Sequence, residues 1–188
     1  MGATIPLRIP IDEAGDRLRA GSVLGYPTES CFGLGCDPAD AEAVARVLRA
    51  KERAQAKGLI LIGGDWAHLA PYMGEVSAAA RNRLAAFWPG PVTFLVPPSE
   101  RVPARVQGAH PKVALRLTAH PHAARLCHAF GGALVSTSAN REGRPALRSA
   151  EAVAAELGDR IDGCVNGRVG MRVRPSAIVD AETGSRLR

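Results

Sequence analysis

Six short apolar runs, "SVLGY" (22–26), "GLILI" (58–62), "VTFLV" (92–96), "KVALRL" (112–117), "ALVST" (133–137) and "SAIVD" (176–180), punctuate the chain. Each is bounded by glycine, proline or polar residues and lies within the roughly four to eight residues of a buried strand, too short for a buried helix. Helical patterns fill most of the intervals. "DEAGDRLRA" (12–20) ends at Gly21, "PADAEAVARVLRAK" (38–51) puts Val44, Val47 and Leu48 on one face, and a short helical piece carries Trp66 and Leu69. "EVSAAARNRLAAF" closes at "WPGP", Pro121 opens "HAARLCHAF" ahead of Gly131-Gly132, and "SAEAVAAELGD" is a further helix. Some strand pairs lack a helix between them, so the expectation is an α/β protein with a mixed sheet flanked by helices.

No repeat or linker-like stretch interrupts the 188 residues, which are expected to form a single domain, 1–188. Aromatic residues make up only 4%, so the core is expected to be aliphatic. The N-terminus has no basic region followed by a long apolar run, and no stretch approaches the roughly 20 apolar residues that cross a bilayer. A cytoplasmic protein with no membrane partner is expected. Four sparse cysteines suit reduced, packed thiols rather than disulfides. The net charge of +6 makes nucleotides, nucleic acids and phosphate metabolites plausible partners. Of 24 basic residues only Lys51, Lys57 and Lys112 are lysines, and two of them share "KERAQAK".

Three stretches carry candidate chemistry. In "YPTESCFGLGCDP" the Gly33-x-Gly35 pair lacks the third glycine of a dinucleotide fingerprint, and Cys31 and Cys36 have no partners that would complete a zinc site. No metal site is expected. What remains is a strand-end turn, with Pro27 fixing the backbone and Thr28 offering a hydroxyl; turn and ligand site are equally supported by the stretch alone. In "KERAQAKGLILI", Lys51, Arg53 and Lys57 cluster at a helix end and in the loop before a strand, either as a solvated helix terminus or as an anion site at a sheet edge. "STSAN" follows a buried strand with Ser136, Ser138 and Asn140, ten residues before the next helix, too far for simple capping. Arg116 interrupts the apolar "VALRL", either on a solvated face or as a fork for an anion.

In order and spacing, "YPTESCFGLGCDP", "KERAQAKGLILI", "WPGPVTFLV", "VALRLTAHP", "STSANREGRPA" and "RPSAIVD" resemble the YrdC/Sua5 family of threonylcarbamoyl-AMP synthases, in its short bacterial TsaC-type branch. The resemblance implies a YrdC-like twisted open sheet with a concave, positively charged cavity. It implies that L-threonine, bicarbonate or CO2, and ATP carried with Mg²⁺ give L-threonylcarbamoyladenylate and diphosphate, the first step of tRNA threonylcarbamoyladenosine synthesis, with a downstream transferase complex as partner. By resemblance, Lys51 and Arg53 are catalytic and bind ATP together with Lys57, Ser136, Asn140 and Arg188. Thr28, Arg116, Ser138 and Ser176 bind threonine. Ala54 stands where the family commonly has proline, and the C-terminal Sua5 domain of longer members is expected to be absent. The alternative class is a non-catalytic protein of the same fold that binds tRNA or double-stranded RNA.

Overall fold

The computed structural model describes residues 8–188. Helix α1 (Ile11–Arg19) has Asp12 and Glu13 in its first turn and Arg17 and Arg19 in its last, the order that complements a helix dipole. Strand β1 (Leu24–Pro27) is followed by β2 (Phe32–Gly35), which replaces the expected turn. Gly33 and Gly35 are strand residues opposite Tyr26 and Leu24. A Cβ on Gly35 would lie 2.5 Å from the Tyr26 ring, so the glycines make room for a buried aromatic side chain and not for a neighbouring helix. Helix α2 (Ala41–Lys51) starts at Asp40, whose carboxylate accepts from the Glu42 and Ala43 amides, and ends at Glu52 in the left-handed region with φ 54°. A 3₁₀ turn, Gln55–Lys57, leads into β3 (Ile60–Gly63).

The second half continues with α3 (Trp66–Leu69), α4 (Ala78–Phe87), β4 (Val92–Val96), α5 (Ala104–Gln107) and β5 (Val113–Leu117). Then come α6 (Pro121–Phe130), β6 (Leu134–Ser138), α7 (Ala150–Leu157), β7 (Gly163–Cys164) and β8 (Ala177–Asp180). All eight strands join one sheet in the order β7-β1-β2-β6-β3-β5-β4-β8. The β1–β7, β3–β5 and β4–β8 pairs are parallel and the other four antiparallel, a mixed sheet as expected. At one edge Ile9 bridges to Val165 beside the two-residue β7; at the other, residues 186–188 fold back on β8, the Leu187 amide donating to the Ile178 carbonyl at 2.8 Å.

Alternation along the strands sorts side chains onto two faces. Phe32, Leu34, Leu61, Phe94, Val113, Leu115 and Val135 face the larger core, with apolar residues of α2, α4, α5 and α7. Leu24, Tyr26, Ile62 and Leu134 face the other way, into a smaller core with α1 and α6. Those two helices pack closely because Gly15 has no Cβ: one placed there would meet the Ala129 carbonyl at 2.6 Å. They cover only part of their face. By parity Ser136 and Ser138 share the face of Leu134, and Ile60 that of Ile62, so this stretch of sheet lies beyond the two helices.

Candidate active site

A cavity of about 400 Å³ lies over that uncovered stretch. Its wall includes Thr28 after β1, Arg53 and Lys57 around the 3₁₀ turn, Arg116 of β5, Ser136 and Ser138 of β6, and Ser176 with Arg188. Lys51 and Asn140 are outside the lining. Five cationic side chains and no acidic one line the cavity among the described residues; the fifth cation is Lys112, which lies outside the stretches whose sequence suggests a site. Lys112 is steered there by Asp180, which its ammonium meets at 2.6 Å. Gln107 and His110 also line the wall.

Most of these groups are already oriented by the protein. Arg53 folds back and donates to the Lys57 and Gly58 carbonyls at 3.1–3.3 Å. Lys57 pairs with Glu142 across the rim. Arg188 donates to the Ser176 carbonyl at 3.1 and 3.2 Å, and the Ser176 hydroxyl meets that of Thr93 at 3.0 Å. The Thr28 hydroxyl donates to the Cys31 carbonyl at 2.7 Å, leaving its lone pairs to accept. Burial, then the charges of Arg116 and Arg53, lower the Arg188 pKa, so these guanidiniums share one positive field.

Lys51 ends α2 as a buried cation. Its ammonium donates to the Ser138 carbonyl, to the Asn140 carbonyl at 2.8 Å and to Asn140 Oδ1 at 3.4 Å. The Asn140 amide nitrogen in turn donates to the Arg141 and Arg144 carbonyls. Three donors meet three acceptors, so Lys51 and Asn140 together shape the turn that presents Ser138 to the cavity. Burial, then the nearby Arg53, lowers the Lys51 pKa to about 8.

Arg116 is the opposite case. Its side chain is only 10% exposed, and Nε is a buried donor with no hydrogen-bond partner. Glu29 Oε2 stands 3.5 Å from Arg116 Nη2 and is also without a hydrogen bond. Burial would raise the Glu29 carboxyl, but Arg116 and hydrogen bonds from Thr118 and the Ala119 amide outweigh it and hold its pKa below the ordinary value. Glu29 is therefore a carboxylate facing the guanidinium, and the fork of Arg116 beside the cavity has unused donors, a fit for a second carboxylate.

One other cluster bears on metals. Asp65, His68 and His128, between α3 and α6, bring ligand atoms within 4.8 Å of one another. The Gly64 amide donates to His68 Nδ1 at 3.1 Å, so in the neutral ring Nε2 carries the proton towards Asp65. A metal on Nε2 would have to displace that proton and leave Gly64 unpaired. Among the described residues the cavity itself offers hydroxyls, one amide, Cys31 and His110 but no acidic side chain to a hard resident cation.

A profile of the Sua5/YciO/YrdC family, described as telomere recombination, matches residues 16–188. The threonylcarbamoyl-AMP synthase of Chromobacterium violaceum is 49% identical over 172 residues, 92% of this chain and 89% of that protein. The enzyme of the same name from Alkalilimnicola ehrlichii is 48% identical, covering 96% of each chain. Among solved structures, P. abyssi Sua5 complexed with L-threonine is similar with a TM-score of 0.86 and 31% identity, over 94% of this chain and 53% of that longer one. By sequence and by fold together, the chain belongs to the Sua5/YciO/YrdC family.

Proposed function

We propose that this chain is a threonylcarbamoyl-AMP synthase, converting L-threonine, bicarbonate or CO2, and ATP into L-threonylcarbamoyladenylate and diphosphate in the first step of tRNA threonylcarbamoyladenosine formation. One observation carries the reading: among the described residues the cavity is lined by five cationic side chains and no acidic one, and Arg116 keeps a free fork. Relatives of that name, aligned over nine-tenths or more of this chain, support it.

In this reading the fork of Arg116 takes the threonine carboxylate, with Thr28, Ser138 and Ser176 around the rest of the amino acid. Its amine adds to CO2, forming the N–C bond of a carbamate and releasing a proton. A carbamate oxygen then attacks the α-phosphorus of ATP while the bond from that phosphorus to the bridging oxygen breaks, and diphosphate leaves. Arg53, Lys57 and Arg188 neutralise the charge that gathers on the leaving phosphates, and Ser136 donates beside them. Mg²⁺ would enter on the triphosphate, where it supplies further neutralisation. Lys51 and Asn140 act through the turn they shape, holding Ser138 in place. The product is a mixed anhydride that water destroys, so a transferase complex that takes it up promptly is the partner the chemistry calls for.

The test is diphosphate release from ATP, Mg²⁺ and bicarbonate with and without L-threonine. Release that depends on threonine is expected; release indifferent to threonine would sink the assignment.

A further inference from the structure

Glu29 does not line the cavity, yet its carboxylate is only 12% exposed and faces Arg116 from the protein side. Its two oxygens differ. Oε1 is fully engaged, accepting from the Thr118 hydroxyl at 2.7 Å and the Ala119 amide at 3.2 Å. Oε2 points at Arg116 Nη2 from 3.5 Å and makes no hydrogen bond. A carboxylate whose task was only to neutralise a buried guanidinium would close on it with two bonds, because that geometry satisfies both partners. Here the anchors hold it short of that.

The anchors are themselves fixed. The Thr118 hydroxyl accepts from the His120 amide at 3.1 Å, just before α6. The Glu29 carbonyl accepts from the Arg172 amide at 3.2 Å, and the Thr28 carbonyl from Gly170 at 2.9 Å. Glu29 is thus tied to the end of β5, to the start of α6 and to the segment before β8. It supplies a charge that keeps Arg116 in place, while the donors of the fork stay unspent.

We propose that Glu29 is the positioning residue for Arg116: anchored on Thr118 and Ala119, it aims the guanidinium from behind and leaves the fork open for the α-carboxylate of the amino-acid substrate. This rests on the reading above that Arg116 receives the carboxylate of threonine. Glu29 itself touches no substrate.

The test is a calorimetric titration of L-threonine into the wild type, Glu29→Gln, Arg116→Ala and the double variant, with the KM for ATP measured alongside. Glu29→Gln is expected to weaken threonine binding by about tenfold, the scale of one lost contact to a charged group, with the KM for ATP unchanged. Added to Arg116→Ala it should cause no further loss, because it acts through that residue. L-Threoninol, which lacks the carboxylate, should bind wild type and Glu29→Gln alike. Should Glu29→Gln fold poorly, Thr118→Val removes one anchor and is expected to weaken threonine by about threefold, the scale of one lost hydrogen bond, without changing the KM for ATP. A wild type that binds no threonine refutes the assignment of Arg116 itself. If the wild type binds but Glu29→Gln stays within about twofold of it, or the two losses simply add, the positioning role is refuted. An equal loss of ATP affinity overturns it too, since it marks damage to the whole site.

Discussion

Two arginine–carboxylate pairs in this protein behave in opposite ways. Arg46 and Asp162, with side chains 31% and 34% exposed, meet at 2.7 and 2.8 Å, and Asp162 also accepts from the Val23 amide at 2.7 Å. The pair stitches α2 to the start of β1. Arg116 and Glu29 are far less exposed, yet they stand 3.5 Å apart with a buried atom unpaired on each side. Desolvation should make the deeper pair the better satisfied one, because an unpaired buried charge costs more than an exposed one. The deficit sits beside the cavity, and that is the difference between a pair that serves the fold and a pair that waits for a ligand.

Arg116→Lys tests the contrast most severely. It keeps a cation near Glu29 but removes the planar fork, so kcat/KM for threonine should fall about a hundredfold, within the roughly 2–5 kcal/mol of a lost buried charged contact. The melting temperature should change little; an unaltered KM for threonine would break the comparison. Lys51→Met comes next and should affect both properties. Removing a saturated buried ammonium orphans its carbonyl partners, costing about 2–4 kcal/mol, which is roughly 4–16 °C in Tm for a chain of this size. Turnover should fall with it.

The pH dependence separates the two kinds of buried charge further. The folded Lys51 loses its proton near pH 8 while the unfolded residue keeps it to its ordinary value of 10.5. Across that window the unfolded chain binds more protons, so this residue's contribution to stability rises with pH, and the rise should vanish in Lys51→Met urea titrations. Glu29 gives a rise of the same sign in a separate, acid window: its stabilisation is present above its ordinary value of 4.5 and is lost as pH falls through the lowered folded value. The acid limb should flatten in Glu29→Gln. Asp162→Asn should have the smallest effect, about 1 kcal/mol for a partly exposed pair, or about 2–4 °C in Tm, with the KM for threonine unchanged.

The six apolar runs and most of the helices were legible because apolar periodicity and capping residues are local. Strand β2 was not, since Gly33 and Gly35 carry the signature of a turn; what makes them strand residues is the Tyr26 ring from the neighbouring strand. The two-residue β7 and four-residue α5 are too short to leave a pattern. In the site, "STSAN" announced itself through polar residues too far from the next helix for capping, whereas "KERAQAK" stood out by holding two of the three lysines ahead of an apolar strand, with a solvated helix end still open. Their division of labour did not: the sequence could not say that Lys51 spends its donors on the "STSAN" turn whereas Arg53 and Lys57 reach the cavity. Lys112 and Glu29 were missed because each acquires its meaning from a partner, Asp180 or Arg116, that only the tertiary fold brings near.

The two margins of the sheet bear on how this protein behaves in a crowded solution. An open eight-stranded sheet exposes unpaired amides and carbonyls at both ends, a template on which other chains can add strands. Here one margin is a strand of two residues, and the other is covered by the returning segment 186–188. Detaching that segment from β8 would therefore do more than disturb Arg188 in the cavity. It would bare a row of backbone groups from Ala177 to Asp180 and give the protein a self-association surface, so loss of solubility should accompany loss of activity.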